Sequence, residues 1–354
     1  MSFETEYSAQ STDIDNLLKF STDSECSDLF IKVGEPAFFA RYGMMYQTMN
    51  PVTSVDWNKF VGKAITSEQN TKYVREKMLD FSYQIKSGNK IYRYRASAGY
   101  STGANICTFR MITHRLPDFE SLKLDNQVVS LLSKAFSMKN GIMMICGVTG
   151  SGKTSTLAAC INSFSSNANK TTDSPLKDAH LITMEDPIEY VYPSKTATRI
   201  VQKELGRDFK SFDNGIKQAL REHPTHILVG ETRDKETIRA LVEAARTGHS
   251  TISTFHTGSV SDTIARLNSY LSGENQDIMF DLVANLNFIL CQNLIKGRKG
   301  YKLNYQYMFF TPQIKKILTE AIYKDKNIPN TVEMLISNKE LKKAGICHGW
   351  LYES

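Results

Sequence analysis

The stretch Ile142-Met143-Met144-Ile145-Cys146-Gly147-Val148-Thr149-Gly150-Ser151-Gly152-Lys153-Thr154-Ser155 decides how this chain is read. Its apolar opening, Ile142–Cys146, has the length of a buried strand, and the residues after Lys153 continue as a helix to about Phe164. Between them, Gly147 to Thr154 match G-x-x-x-x-G-K-[ST] in full. The glycines let the backbone curl so that its N–H groups point at phosphate oxygens, and the helix N-terminus adds partial positive charge. Lys153 then reaches the β- and γ-phosphates, and the Thr154 hydroxyl ligates Mg²⁺. The expected nucleotide set is Gly147, Thr149, Gly150, Ser151, Gly152, Lys153, Thr154 and Ser155, with ATP and Mg²⁺ as what they hold. A chance glycine-rich turn would lack the strand before it and the helix after.

Downstream, Leu228-Val229-Gly230-Glu231 places an acid just after an apolar strand, as a Walker B strand does. Glu231 there can polarise an attacking water or hold Mg²⁺; the plain alternative is a surface glutamate capping a strand. Thr183-Met184-Glu185-Asp186-Pro187-Ile188-Glu189-Tyr190 also follows a strand, where α/β sheets collect ligand residues. Its adjacent carboxylates can orient water and metal, or can form an ordinary acidic turn. Thr247-Gly248-His249-Ser250 leads through a strand to Thr254-Phe255-His256-Thr257, so His249 and His256 flank that strand. His256 can sense the γ-phosphate; a structural histidine is the commoner case.

Around these boxes, short apolar strands at Leu181–Met184, Ile227–Val229 and Thr251–Thr254 alternate with helices, which predicts a parallel sheet covered on both faces. Residues 165–179 read as an exposed loop, and the last 45 residues as helical, with Ile314, Ile317, Leu318 and Ile322 at helical spacing. Before the glycine loop the pattern is α+β: strands over Asp28–Arg41, Lys90–Arg95 and Phe109–Ile112, helices around Trp57–Ala64 and Glu68–Leu79. Residues 1–26 are polar and read as a flexible arm. The expected division is therefore arm 1–26, smaller domain 27–116, linker 117–121 and ATPase domain 122–354.

The chain has 354 residues, 41% hydrophobic and 23% charged, with net charge +6, an ordinary balance for a globular protein of two domains. The mild positive surplus argues for neither membrane surface nor nucleic acid. Six cysteines include no C-x-x-C pair, which speaks against a zinc ribbon. No apolar stretch reaches the ~18 residues of a membrane span, and no signal segment opens the chain, so the expected location is cytoplasmic.

The order of boxes is the glycine loop, then EDPIEY, then ALREHPTHILVGETRD, then TGHSTISTFHT. It resembles the secretion ATPases of type II and type IV systems and type IV pili, from Ser27-Asp28-Leu29-Phe30 to Thr311-Pro312-Gln313-Ile314. The resemblance implies an α/β fold: a PAS-like N-terminal domain, a RecA-like P-loop domain, and a homo-hexameric ring. It implies Glu185 as the catalytic or metal-orienting acid, Glu231 as the Walker B acid, and His249 and His256 as His-box residues. It also implies that Arg93, Arg95 and Arg110 sit where the family places arginines that reach a neighbouring subunit. His223 and Thr225 stand where relatives often have Asp, and Ser101-Thr102-Gly103 replaces a loop arginine. GEPAFFARYG, YRYRASA and SGENQDIMFDLV are most similar to the DotB and TraJ ATPases of type IVB secretion and IncI-type conjugation. TPQIKKIL is similar to a segment of pilus retraction motors, which stay open as the alternative. Either branch implies peripheral attachment at the inner membrane through secretion, conjugation or pilus components. Leu271-Ser272-Gly273-Glu274 resembles an ABC signature but follows Glu231 instead of preceding it. Lys296-Gly297-Arg298-Lys299 is the best candidate for the basic loop of a DNA-translocating relative, a reading less favoured than a solvated turn, so no direct nucleic-acid binding is expected.

Overall fold

A computed structural model describes residues 11–88, 90–112, 116–167, 173–193, 197–271, 276–297, 300–324 and 327–350. Residues 1–10 of the expected arm, 168–172 of the expected loop, 272–274 of the ABC-like stretch, 272–275 of SGENQDIMFDLV, and Arg298 and Lys299 of the basic run lie outside the described residues. The chain divides into two compact units, Met1–Arg115 and Leu116–Ser354.

The first unit is built on six antiparallel strands: β1 (Asp28–Lys32), β2 (Pro36–Arg41), β3 (Met44–Pro51), β4 (Leu79–Ser87), β5 (Lys90–Ser101) and β6 (Ala104–Met111). Their order is β3-β2-β1-β6-β5-β4. In β5, Tyr92, Tyr94, Ala96 and Ala98 are buried while Arg95 and Ser97 are exposed, the period-two alternation of a sheet with one covered face. Covering that face are α1 (Ile14–Asp23), α2 (Ser54–Ala64) and α3 (Ser67–Glu76). Thr53 with Asp56, and Thr66 with Gln69, form capping boxes that start α2 and α3. Phe60 of α2 packs edge-on against Tyr83 and Phe109 at 5.0 and 5.3 Å.

Three expectations need correction here. The arm is not wholly flexible: residues 14–23 form α1, capped by Asp13, with Ile14, Leu17, Leu18 and Ser21 buried at helical spacing. The single strand over Asp28–Arg41 is two strands, turned at Gly34, whose φ of +91° suits glycine. The helix expected to reach Leu79 stops at Glu76, because Lys77 takes a left-handed conformation and the chain leaves as β4.

The second unit holds an eight-stranded sheet: β7 (Gly141–Cys146), β8 (His180–Glu185), β9 (Arg199–Glu204), β10 (His226–Val229), β11 (Ser250–Phe255), β12 (Leu286–Gly297), β13 (Gly300–Phe309) and β14 (Cys347–His348). The order β12-β7-β11-β10-β8-β9 is parallel throughout, and β13 and β14 extend it antiparallel from β12. The helices are α4 (Asn126–Phe136), α5 (Lys153–Asn167), α6 (Phe212–Ala219), α7 (Lys235–Arg246), α8 (Val260–Leu271), α9 (Gln276–Asn285), α10 (Pro312–Tyr323), α11 (Ile328–Ser337) and α12 (Lys339–Lys343). Met143 and Ile145 face α4 and α5, while Ile142, Met144 and Cys146 face α7, α8 and α9. Both faces of β7 are thus buried, which explains its unbroken apolar run.

The parallel sheet expected from the sequence is therefore a mixed one. β9 escapes a reading by apolar runs, since Arg199 is exposed and Ile200–Gln202 are only half-buried, and the β12–β13 hairpin adds the antiparallel part. The loop over 165–179 is not uniformly exposed: α5 runs to Asn167 and Leu176 is fully buried. All six cysteines are buried and unpaired.

Since Leu18 is fully buried in the core of the first unit, Leu18→Ala should destabilise that unit by about 2–5 kcal/mol. A lower urea midpoint checks this; an unattached arm would leave the midpoint unchanged.

Candidate active site

Four parallel strands, β7, β8, β10 and β11, end on one edge of the sheet, and each of the four sequence boxes places residues at one of these ends. Phe255 pairs with Cys146 and Val229 pairs with both Ser253 and Met184, so Gly147, Glu185, Glu231 and His256 are brought to neighbouring strand ends. This is the edge at which open α/β sheets place their ligands.

The glycine loop is a shaped cradle. Gly150 and Gly152 have φ of +79° and +86°, and a Cβ on Gly150 would meet nothing within 4 Å. Gly147 is different: a Cβ there would lie 2.4 Å from both the Gln292 carbonyl oxygen and Ser151 Oγ. Gln292 of β12 supports the loop from beneath, its Nε2 donating to the Ser151 carbonyl at 2.8 Å. Lys153 is 8% exposed and its Nζ donates to the carbonyls of Gly147 and Val148 at 2.7 and 3.1 Å. Burial lowers its pKa, and the charge of Glu231 works the other way. Thr154 and Ser155 open α5, with Thr154 exposed and Ser155 Oγ 3.3 Å from the Tyr190 hydroxyl.

Glu185 ends β8 and is buried; Thr183 Oγ1 donates to its Oε1 at 2.6 Å. Gly230 N donates to the Met184 carbonyl at 2.7 Å, and a Cβ on Gly230 would lie 3.3 Å from Glu185 Cα. A side chain at 230 would press on the Glu185 backbone at this approach, so glycine suits the close pairing of these strand ends, and Glu231 is the next residue. Glu231 Oε1 is 3.1 Å from His256 Nε2, and Glu231 Oε2 accepts from Arg233 Nη2 at 2.7 Å. Arg233 also reaches Asp186 at 3.6 Å, joining the two acidic boxes. Burial alone would raise the Glu231 pKa; the hydrogen bond and charge of Arg233, with His256 and Lys153, outweigh it and hold the carboxyl below its ordinary value. Arg266 of α8 donates to the His256 carbonyl at 2.8 Å and stacks over Phe255.

His249 is not brought into this cluster. It precedes β11, at the opposite edge of the sheet, and its Nδ1 lies 3.1 Å from the Ala244 carbonyl and 3.2 Å from Thr247 Oγ1. These contacts lie at the C-terminus of α7. Arg95 and Arg110 belong to the first unit, paired across β5 and β6; Arg110 Nε donates to Asp28 at 3.1 Å. Arg233, Gln202 and Gln292 were not singled out in the sequence. Arg233 lies within the GETRD box and could have been; Gln202 stands on a strand that sequence periodicity does not mark, and Gln292 directly follows the apolar run Phe288–Cys291.

The oxygen atoms of the Thr154 hydroxyl and of the Glu185 and Glu231 carboxylates are of the kind that would suit Mg²⁺ held mainly by phosphates and water, and among the described residues no cluster of His, Cys, Asp or Glu forms a metal cage without them. The chain matches the family described as Type II/IV secretion system protein over residues 5–324. It belongs to that family. Within this secretion-system family, it is 30% identical to the type IV pilus retractation ATPase PilT of Pseudomonas aeruginosa, over 87% of this chain and 86% of that protein. Among solved structures, the ATPase DotB of Legionella pneumophila matches with a TM-score of 0.80 at 27% identity, covering 95% of this chain and 92% of that one. The pilus retraction motor PilT with bound ADP matches with a TM-score of 0.74 at 28% identity, covering 91% of this chain and 89% of that one. The fold is therefore that of the secretion ATPases, an antiparallel-sheet unit followed by an α/β P-loop unit.

The Glu231 environment predicts a pH signature. Its depressed folded-state pKa contributes stability above its ordinary value of 4.5, and that contribution is lost as pH falls through the folded value. Arg233→Met removes the main lowering partner, so the stability difference between wild type and variant should be largest at neutral pH and shrink as pH falls below 4.5. Urea midpoints at pH 7 and about pH 3.5 check this; a difference independent of pH would assign Arg233 a packing role instead.

Proposed function

We propose that this chain hydrolyses Mg-ATP and works as a homo-hexameric motor that energises a type IV secretion or conjugative-transfer apparatus at the inner membrane. The observation that carries the reading is the convergence of Lys153, Glu185, Glu231 and His256 at one sheet edge around the glycine loop. In this reading the backbone of Gly147–Gly152 and the Lys153 ammonium bind the phosphates. Thr154, with Glu185 and Glu231, would hold Mg²⁺, which supplies charge neutralisation on the phosphate oxygens when bound. Glu231 orients the attacking water, and His256, hydrogen-bonded to it, reports whether the γ-phosphate is in place.

The type IVB reading is supported by the DotB match over almost the whole chain. A second reading, a pilus retraction or assembly motor, is favoured by the equally broad similarity to PilT. Deleting the gene and scoring both conjugative or effector transfer and pilus-dependent motility separates them. Among the described residues, no helix is long and apolar enough to cross a membrane. Attachment through membrane partners from the cytoplasmic side is part of the proposal.

Glu231→Gln keeps the shape of the side chain and removes its charge. It should retain ATP binding while turnover falls by about 10²–10⁴, as read by nucleotide titration beside phosphate release. Loss of binding in step with loss of rate would assign Glu231 a structural role.

Arg95 and Arg110 stand side by side on an exposed face of the first unit, and at least one of Arg93, Arg95 and Arg110 is proposed to serve a neighbour's nucleotide. Such an arginine is worth about 10³–10⁵ in rate in other P-loop enzymes. Mixing inactive Lys153→Ala subunits with inactive Arg110→Ala subunits should restore partial activity, because some interfaces then pair an intact loop with an intact arginine. No recovery at any ratio would rule Arg110 out as a trans residue.

A further inference from the structure

Gln202 stands on β9, one strand away from Glu185. Its single amide makes three contacts with the segment that carries the acidic box. Nε2 donates to Glu185 Oε1 at 3.1 Å and to the Tyr190 carbonyl at 2.7 Å. Its Oε1 accepts from the Tyr192 N–H at 3.0 Å. This pattern fixes the orientation of the amide. Turned over, it would set an acceptor against a carboxylate and a carbonyl, and a donor against an N–H. Glu185 Oε1 thus receives two donors, Gln202 Nε2 and Thr183 Oγ1. The Tyr190 segment held by the same amide reaches back to the glycine loop, since its hydroxyl lies 3.3 Å from Ser155 Oγ in the first turn of α5. A continuous chain, Ser155–Tyr190–Gln202–Glu185, links the helix that binds phosphate to the acid of the neighbouring box.

We infer that Gln202 is a positioning residue for Glu185, setting the orientation of that carboxylate and tying it to the position of the phosphate-binding helix. The inference rests on the proposed catalytic reading of Glu185. It gives Gln202 a role in the chemical step and none in holding nucleotide.

The test compares Gln202→Leu, Gln202→Glu and Glu185→Gln with wild type in folded fraction, ATP binding, KM and kcat per folded subunit. Gln202→Leu should leave ATP affinity and KM unchanged and lower kcat by about tenfold to hundredfold, the loss of one hydrogen bond to a charged group. Gln202→Glu, which keeps the shape but sets an acceptor against the Glu185 carboxylate and the Tyr190 carbonyl, should lower kcat at least as far. A residue that only stabilises the fold would lower the folded fraction and leave kcat per folded subunit at the wild-type value. Should Gln202→Leu fail to fold, Gln202→Glu carries the test alone. Wild-type hydrolysis by Glu185→Gln would overturn the catalytic reading itself. An inactive Glu185→Gln beside Gln202 variants with wild-type kcat per folded subunit would overturn the inference and leave that reading standing.

Discussion

A parallel pair of strands cannot be joined by a tight turn; the chain must cross back over the sheet before the next strand begins. For β7, β8, β10 and β11 each return brings the chain to the same starting edge, so every strand leaves at the opposite one. Backbone ladders then set the offset between exits: the residue after Phe255 emerges beside the residue after Cys146, and Gly230 emerges beside Glu185. The helices, the buried faces and the glycine at 230 all follow from keeping these strands close and dry. Residues far apart in sequence become neighbours through hydrogen-bond register, before any side chain has been chosen for chemistry.

Register also explains what could be read from the sequence and what could not. The glycine loop is contiguous, and its strand and helix flank it, so its geometry is local and legible. Glu185 and Glu231 were legible as acids after apolar runs. Their closeness depends on β8 and β10 being neighbours, which no local pattern states. His249 and His256 look equivalent as a flanking pair. A six-residue strand separates them, about 20 Å at 3.3 Å per residue, so only one can share an edge with the glycine loop. The helix at 14–23 was hidden by averaging: Asp13, Asp15, Asn16 and Thr22 make the segment polar overall, while Ile14, Leu17 and Leu18 sit together on one face.

The same arrangement accounts for the charge state of the site. Lys153 is buried deeply enough that its charge is disfavoured, and Glu231 is held ionised by the cations around it. The charge of Glu231 offsets part of the cost for Lys153, and Arg233, His256 and Lys153 together offset it for Glu231. The glutamine amides at 202 and 292 act between strands instead: one joins β9 to the acidic box and the other joins β12 to the glycine loop. They are uncharged, so they fix positions at the site without altering its charge balance.

The burial of all six thiols has a practical side. Alkylating and spin-labelling reagents attack an exposed thiolate. Here the sulfur atoms are enclosed, and burial raises the pKa of Cys26, Cys107, Cys160, Cys291 and Cys347. A single cysteine introduced at an exposed position such as Tyr323, 75% accessible, would be the reactive one without stripping the native residues. A probe attached there would report on the protein with its own cysteines in place.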